Sequence, residues 1–282
     1  MTDMSEPKVS IVIATYNVEN LIEQTLRSVF DQTFSAFEVI VVDDCSTDAT
    51  ADIVDQWAER EDRLVPVRLP SNSRRPAVPR NIGLARARGE YVAILDHDDL
   101  WVRNKLERQV AYLDAHPEVG MVHSYMWRIT DRSRMIGLLY LPNPLRRRSG
   151  YDVLRRYNPV QCSSVLARTE VLVGLGGFDE DLELRTVEDF DLWIRVSREH
   201  RIRYLSEVHG YYRWLPSGAQ AQENWLARHQ ALDALRGTES ASKQPSRPWQ
   251  VARKFAGFPL AVFAHLVDAP WRVARGRLPR AW

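Results

Sequence analysis

Three short apolar runs, each ending in polar residues, constrain the fold of this chain most strongly. They span residues 9–14, 38–42 and 91–95 and are rich in Val and Ile. Continuous apolar runs of this length are typical of strands that are buried on both faces of a parallel sheet. Helical patterns with short connections separate the runs, which indicates right-handed strand–helix–strand units. We therefore predict an α/β fold with a mostly parallel, Rossmann-like sheet flanked by helices.

The second half of the chain has a different pattern. Residues 119–125 and 135–141 are predicted to form a hairpin around residues 131–133, so the sheet gains a small antiparallel extension. An amphipathic helix is predicted over residues 188–200.

The predicted organisation is one domain followed by a linker and a tail. The domain covers residues 1–236, with a first half at 8–100 and a second half at 101–236. Residues 237–248 are rich in Ser, Pro and other polar residues, which is typical of a linker.

Polar residues follow each of three predicted parallel strands. They are Thr15-Tyr16-Asn17, Asp43-Asp44 and Asp96-His97-Asp98-Asp99. Because ligands of open α/β sheets bind beyond the carboxyl ends of the strands, we expect these residues to converge on one site. Asn17 is also a plausible N-cap for the helix that follows it.

The acidic cluster after the last of these strands has two interpretations. Asp96 and Asp98 would project to the same side of a strand, about 6–7 Å apart along the chain, a spacing that one divalent cation could bridge. Alternatively, Asp98 or Asp99 caps the next helix. The residues alone leave both interpretations open.

Composition excludes several other classes of protein. The net charge of +1 does not suggest nucleic-acid binding, and the two cysteines, Cys45 and Cys162, have no metal-ligand spacing. A disulfide framework is not expected from two distant cysteines, which fits a reducing cytosol, so a cytoplasmic location is expected. The N-terminus does not have the pattern of a signal peptide, and no apolar run is long enough to span a membrane. No Gly-rich phosphate loop occurs, so a phosphate ligand would require a cation and basic side chains.

The C-terminal segment, residues 249–282, interleaves aromatic and basic residues. Residues 247–282 contain seven Lys or Arg and one Asp. Such an amphipathic tail suits a membrane surface that carries anionic lipid, which would make the protein peripheral at the inner face of the plasma membrane. Packing of the tail on the domain or on a second subunit is the other interpretation, and both stay open.

Four segments in the same order resemble the family 2 glycosyltransferases of the GT-A fold. They are residues 10–17, 39–48, 80–99 and 176–191, and the resemblance extends over roughly residues 8–215. It implies an inverting transferase that uses a UDP-, GDP- or dTDP-linked sugar and a glycan or lipid-linked acceptor. Bacterial cell-envelope or exopolysaccharide assembly is the expected context.

The resemblance also implies roles for individual residues. The implied nucleotide-sugar ligands are Thr15, Tyr16, Asn17, Asp43, Asp44, Arg80 and Asp96. The implied ligands of Mg²⁺ or Mn²⁺ are Asp98, Asp96 and Asp99, in an Asp-x-Asp motif. Asp189 matches the catalytic base, which would take the proton of the acceptor hydroxyl. Without the family, Thr186 and Asp189 would suit a capping arrangement of the next helix.

The sequence departs from the family pattern at two points. Leu215 stands where family members often have a histidine that binds the metal, and His209 is out of register. The Gln-x-x-Arg-Trp motif of processive synthases is missing, which favours transfer of a single sugar. Two alternatives remain: a non-catalytic nucleotide-sugar or glycan binding module, and a sugar nucleotidyltransferase, which would be expected to have a Gly-rich loop near the N-terminus.

Overall fold

The structure is a computed structural model that describes residues 6–138, 150–154, 158–181, 184 and 187–214. The strands within these residues are β1 (Val9–Thr15), β2 (Phe37–Asp43), β3 (Leu64–Arg68), β4 (Tyr91–Asp96), β5 (Leu100–Trp101), β6 (Val119–Ile129), β7 (Met135–Leu138), β8 (Leu166–Arg168) and β9 (Arg201–Arg213). The helices are α1 (Ile22–Phe30), α2 (Thr50–Ala58), α3 (Ala77–Leu84), α4 (Lys105–Ala115), α5 (Tyr151–Leu154), α6 (Thr169–Gly174) and α7 (Glu188–Glu199). A 3₁₀ turn spans Cys162–Ser164.

These strands form one mixed sheet in the order β3-β2-β1-β4-β8-β6-β9-β5, with β7 paired to β6. Strands β1 to β4 are parallel to their neighbours within this group, whereas β8 is antiparallel to both β4 and β6. The predicted hairpin is present, because β7 pairs with β6 in antiparallel orientation. The expected α/β architecture with a small antiparallel extension is confirmed.

Two apolar layers cover the sheet. One face of β1 and β4 packs with α1 and α4, where Leu26 and Leu106 are fully buried. The opposite face packs with α3, α6 and α7, where Val12 and Trp193 are fully buried. Helix α3 approaches β1 so closely that a Cβ at Gly83 would lie 2.4 Å from Val12 Cγ1. Glycine is therefore required for this contact, and it holds α3 and its Arg80 against the sheet.

Several local predictions are wrong. Asn17 does not cap α1, which begins at Ile22, but has a left-handed backbone with φ +48°. Asp98 and Asp99 do not cap α4, because β5 intervenes and Asn104 occupies the N-cap position. The 13-residue strand β9 was not predicted; its pairing with β6 contains register shifts.

Some predicted features lie outside the described residues. They are Thr186, Leu215, the linker at 237–248 and the tail at 249–282. Within the described part of the chain, no helix has both the length and the apolar character required to cross a membrane.

Candidate active site

The polar ends of β1, β2 and β4 converge as predicted. Thr15 pairs with Asp43 across the sheet, and Ala14 pairs with Asp96 on the other side. The structure therefore brings the three polar segments to one edge of the sheet. His97 is tied to the same edge, because its Nδ1 lies 3.0 Å from the carbonyl oxygen of Ala14.

Asp43 and Asp44 are buried and hold the loops at this edge. Asp43 accepts hydrogen bonds from Thr15 Oγ1 at 3.2 Å and from the backbone N–H of Ser46 at 3.0 Å. Asp44 accepts two hydrogen bonds from Ser73, from its N–H at 2.8 Å and its hydroxyl at 2.9 Å. The two carboxylates thus shape the walls of the site through neighbouring loops.

Tyr16 and Asn17 lie at the exposed rim of this edge. Tyr16 is 43% exposed, so its ring is accessible for stacking. Asn17 Oδ1 accepts a hydrogen bond from the N–H of Thr47 at 2.8 Å, which links the loop after β1 to the loop after β2. The left-handed backbone of Asn17 permits this link, because Asn tolerates that conformation better than most residues.

Arg80 joins the two halves of the site. It is buried on α3 and bonds Asp96 Oδ1 at 2.7 Å and Glu188 Oε1 at 2.5 Å. Burial opposes the positive charge of Arg80, but nearby acidic groups, Asp96 and Glu188 among them, outweigh it and raise the pKa of Arg80. The negative charge of Asp189 acts on Arg80 as well. Asp189 directly follows Glu188, which Arg80 connects to Asp96 at the carboxyl end of β4.

Glu188 is a residue of the site to which sequence reasoning assigned no role. It is only 4% exposed, and its Oε2 atom has no hydrogen-bond partner in the described part of the protein. A buried carboxylate oxygen without a donor is costly, so Glu188 is an unsatisfied acceptor next to the proposed base. The Glu-Asp pair in the sequence was the available signal for it.

Asp189 lies in the first turn of α7, which begins at Glu188. Val187 occupies the N-cap position and makes no side-chain cap hydrogen bond. Because Thr186 lies outside the described residues, the capping interpretation of the Thr186–Asp189 pair stays a prediction. Asp189 Oδ1 accepts a hydrogen bond from the N–H of Phe190 at 2.7 Å.

Asp98 and Asp99 have different surroundings. Asp99 is buried and accepts hydrogen bonds from Ser163 Oγ at 2.6 Å and from the N–H of Arg213 at 2.8 Å. Burial raises the pKa of Asp99 well above its usual range, and repulsion from Asp98 and Asp96 raises it further. Asp98 is only partly buried, and no described side chain donates a hydrogen bond to its carboxylate.

The carboxylate of Asp98 fits a hard cation best. Burial raises its pKa; the charge of nearby His97 lowers it, and that of Asp96 raises it again. A divalent cation would relieve this penalty because it favours the ionised form. Among the described residues, however, no three His, Cys, Asp or Glu side chains are grouped to hold a metal ion. The protein would supply only part of a coordination shell.

Arg213 is a second residue at this edge to which the sequence assigned no role. Besides its bond to Asp99, its Nε donates to the carbonyl of Asp98 at 2.8 Å, so it holds the backbone of the acidic cluster. His209, which is out of register with the histidine of the family pattern, is buried on β9, and its Nε2 lies 3.2 Å from Glu207 Oε2.

Comparison with known proteins identifies the family of this site. Residues 10–165, more than half of the chain, match the family described as Glycosyl transferase family 2. The chain belongs to glycosyl transferase family 2. This membership confirms the resemblance and argues against a sugar nucleotidyltransferase. The acidic residues after β2 and β4 belong to the matched region of this family 2 glycosyltransferase.

A curated relative supports the same assignment. The chain is 32% identical over 223 residues to the putative teichuronic acid biosynthesis glycosyltransferase TuaG of Bacillus subtilis (strain 168), which covers 79% of this chain and 84% of TuaG. Its relatives thus include a bacterial enzyme named for the biosynthesis of a polysaccharide.

Two solved structures confirm the GT-A fold of this family 2 glycosyltransferase. TarS 1-349 of S. aureus in complex with UDP-GlcNAc is 27% identical, with a TM-score of 0.64, and the match covers 76% of this chain and 60% of that chain. The mannosyltransferase PcManGT from Pyrobaculum calidifontis, in complex with GDP-Man and Mn²⁺, is 25% identical with a TM-score of 0.59. That match covers 94% of this chain and 82% of PcManGT.

Proposed function

We propose that this protein transfers one sugar from a nucleoside diphosphate sugar to an acceptor hydroxyl, with inversion at the anomeric carbon, in the assembly of a bacterial envelope polysaccharide or exopolysaccharide. The observation that carries the proposal is the Arg80 bridge. It links Asp96, at the end of β4, to Glu188 at the start of α7, the residue that immediately precedes Asp189. Donor-binding residues and a general base must meet in this way for a one-step displacement.

The nucleotide would bind at the ends of β1 and β2. Tyr16 would cover the base or ribose with its exposed ring, and the walls held by Asp43 and Asp44 would enclose the nucleoside. Thr15 and Asn17 would act mainly by holding these walls in place. Neighbouring proteins with UDP-GlcNAc and GDP-Man support a nucleotide-sugar donor but leave the base unassigned.

Asp189 would act as the general base. An uncharged hydroxyl is a poor nucleophile, so a carboxylate must accept its proton as the new bond forms. A single displacement then needs no nucleophile from the enzyme, and the anomeric configuration inverts. Arg80 would place positive charge between Asp96 and Glu188, which prevents mutual repulsion of the site's carboxylates.

Asp98 and Asp96 would hold Mg²⁺ or Mn²⁺, which when bound supplies positive charge against the departing diphosphate. Waters and the phosphates would complete the coordination shell. Asp99 would orient the loop, because both of its oxygens are already engaged by Ser163 and Arg213. The Mn²⁺ in PcManGT supports a divalent cation in this fold.

A donor panel tests the proposal. Purified full-length protein is incubated with UDP-, GDP- and dTDP-sugars, with Mn²⁺ and with candidate glycan or lipid-linked acceptors, and nucleotide release is measured. We expect release from one donor class and its suppression by EDTA. Nucleotide binding without release from any donor would support the non-catalytic binding module instead.

We also propose that the tail, residues 249–282, contacts the membrane surface. Its support is the basic and aromatic composition of that segment. Co-sedimentation with liposomes that contain anionic lipid should be lost when residues 249–282 are deleted. Unchanged partitioning would favour packing of the tail on the protein itself.

A further inference from the structure

The 3₁₀ turn Cys162–Ser164 lies directly beneath the acidic cluster. Ser163 is fully buried, and its hydroxyl donates to Asp99 Oδ2 at 2.6 Å while it accepts from the N–H of Asp96 at 3.1 Å. One side chain thus contacts both ends of the Asp96–Asp99 stretch. Ser163 therefore connects the backbone of Asp96 to the carboxylate of Asp99.

Three consecutive backbone carbonyls at this turn each accept a hydrogen bond from a different side chain. The pairs are Trp101 Nε1 to Ser163 at 2.7 Å, Gln109 Nε2 to Ser164 at 2.8 Å and Lys105 Nζ to Val165 at 3.2 Å. All three donors come from the segment that follows the acidic cluster, one on β5 and two on α4. The segment from the acidic cluster through α4 therefore contains both the carboxylates and the side chains that hydrogen-bond to the turn next to them.

Lys105 is an unusual residue for an ordinary packing position. It is fully buried, its Nζ lies 4.1 Å from the centre of the Trp101 ring, and it donates to Gln109 Oε1 at 2.7 Å. No acidic side chain of the described residues forms an ion pair with it. Burying an amine without a carboxylate costs stability, and a methionine would fill similar space without that cost. The hydrogen bond from Lys105 Nζ to the Val165 carbonyl explains why a lysine occupies this position.

We propose that Trp101, Lys105 and Gln109 form a clamp that acts through Ser163 as a set of positioning residues for the nucleotide-diphosphate and metal site. The three clamp side chains donate hydrogen bonds to the backbone of the turn and so fix the position of Ser163. Ser163 in turn bonds the backbone N–H of Asp96 and the carboxylate of Asp99. Supporting residues of this kind typically change metal affinity by about 10- to 100-fold when they are removed. This inference rests on the proposed function, because it assigns the clamp to the same site.

The chain offers a matched control at the opposite end of the sheet. Ser10 is also fully buried, donates to a carboxylate, Glu38 Oε1, at 2.7 Å, and accepts from a backbone N–H, that of Gly89, at 2.9 Å. Ser10 Oγ also accepts from the N–H of Arg88 at 3.1 Å, so Ser10→Ala removes one hydrogen bond more than Ser163→Ala from an equally buried place. Only Ser163 lies next to the acidic cluster.

The test compares these two variants in the full chain. Thermal unfolding and calorimetric binding of UDP, GDP and dTDP are measured with and without Mn²⁺. Both variants should lower the unfolding temperature, but only Ser163→Ala should weaken Mn²⁺-dependent nucleotide binding, by about tenfold or more. If Ser163→Ala binds nucleotide with Mn²⁺ within twofold of wild type, the proposed role of the clamp is wrong, whereas the proposed function of the protein is unaffected. Absence of nucleotide binding by the wild type would overturn the proposed function, and the role of the clamp with it.

A second set of variants keeps the inference testable if Ser163→Ala does not fold. Gln109→Met and Lys105→Met remove the outer donors and substitute an unbranched apolar side chain of similar length. Each should weaken Mn²⁺-dependent nucleotide binding by about threefold or more, because each acts on the same supporting turn. Where Ser163→Ala folds, adding Gln109→Met to it should change binding less than twofold, because both act through one residue. Wild-type binding by both methionine variants, or fully multiplicative effects with Ser163→Ala, would overturn the clamp.

Discussion

Arg80 and Glu188 lie 108 positions apart in the sequence and form a buried ion pair, with 2.5 Å between Nη1 and Oε1. The pair connects α3, in the first half of the domain, to the start of α7 in the second half. Because Arg80 also contacts Asp96, one guanidinium determines how closely the two halves of the site approach each other.

Removal of the Arg80 charge should destabilise the protein strongly. Arg80→Leu leaves Glu188 and Asp96 without their partner, and a broken buried pair typically costs about 3–5 kcal/mol. The free energy of unfolding is measured by urea titration. The exposed pair of Arg27 with Glu23, at 2.8 Å, is the control, and Arg27→Leu should change the free energy of unfolding by no more than about 0.5 kcal/mol. Equal losses in the two variants would contradict the role of burial.

Substitution of the proposed base should separate binding from turnover. Asp189→Asn should lower transfer by about 10²- to 10⁴-fold, because the amide cannot accept the acceptor proton, while donor binding stays near that of wild type. Asp191→Asn is the control, since Asp191 lies in the same helix turn but pairs with Arg195 at 2.7 Å. It should retain turnover if it folds. If Asp189→Asn transfers the sugar at the wild-type rate, another residue must act as the base.

The carboxylate of Asp98 should be required for Mn²⁺-dependent nucleotide binding. Asp98→Asn removes the carboxylate that no described side chain engages, so Mn²⁺-dependent nucleotide binding should weaken by about tenfold or more, an effect that EDTA should reproduce in the wild type. Asp62→Asn, on an exposed loop, should leave binding unchanged. Normal binding of Mn²⁺ and nucleotide by Asp98→Asn would mean that the metal site lies elsewhere in the protein.

His209 should make the protein less stable in acid. Burial and the positive charges of Lys105 and Arg108 lower the pKa of His209 to about 4, against the opposing contribution of Glu207. The unfolded chain therefore binds a proton below about pH 6.5 that the folded chain does not bind until about pH 4. Stability is lost as the pH falls through this window, by about 3 kcal/mol at most.

Comparison with a variant isolates this effect. His209→Gln removes the titrating group, so its free energy of unfolding should depend less steeply on pH between about pH 6.5 and 4 than that of the wild type. Urea titrations at several pH values measure the difference. Parallel pH profiles for the two proteins would mean that His209 does not titrate differently on folding.

Local patterns in the sequence predicted the parallel core correctly. Strands such as β2 and β4 are continuous apolar runs, and their burial on both faces follows from that composition alone. β9 was missed because partners on β5 and β6 determine its pairing, and neither partner is visible in its own residues. The start of α1 was misplaced for a related reason, since Asn17 bonds the distant loop at Thr47.

The sequence by itself determined the architecture and the edge at which the site lies, because strand periodicity places the polar ends of β1, β2 and β4 together. Only the tertiary structure decided what each acidic side chain contacts. Asp98 and Asp99 are neighbours of identical chemistry, yet Asp99 is held by Ser163 and Arg213, which are 64 and 114 positions away. The orientation of a carboxylate depends on its donors, and here those donors come from distant elements that only the folded chain brings together.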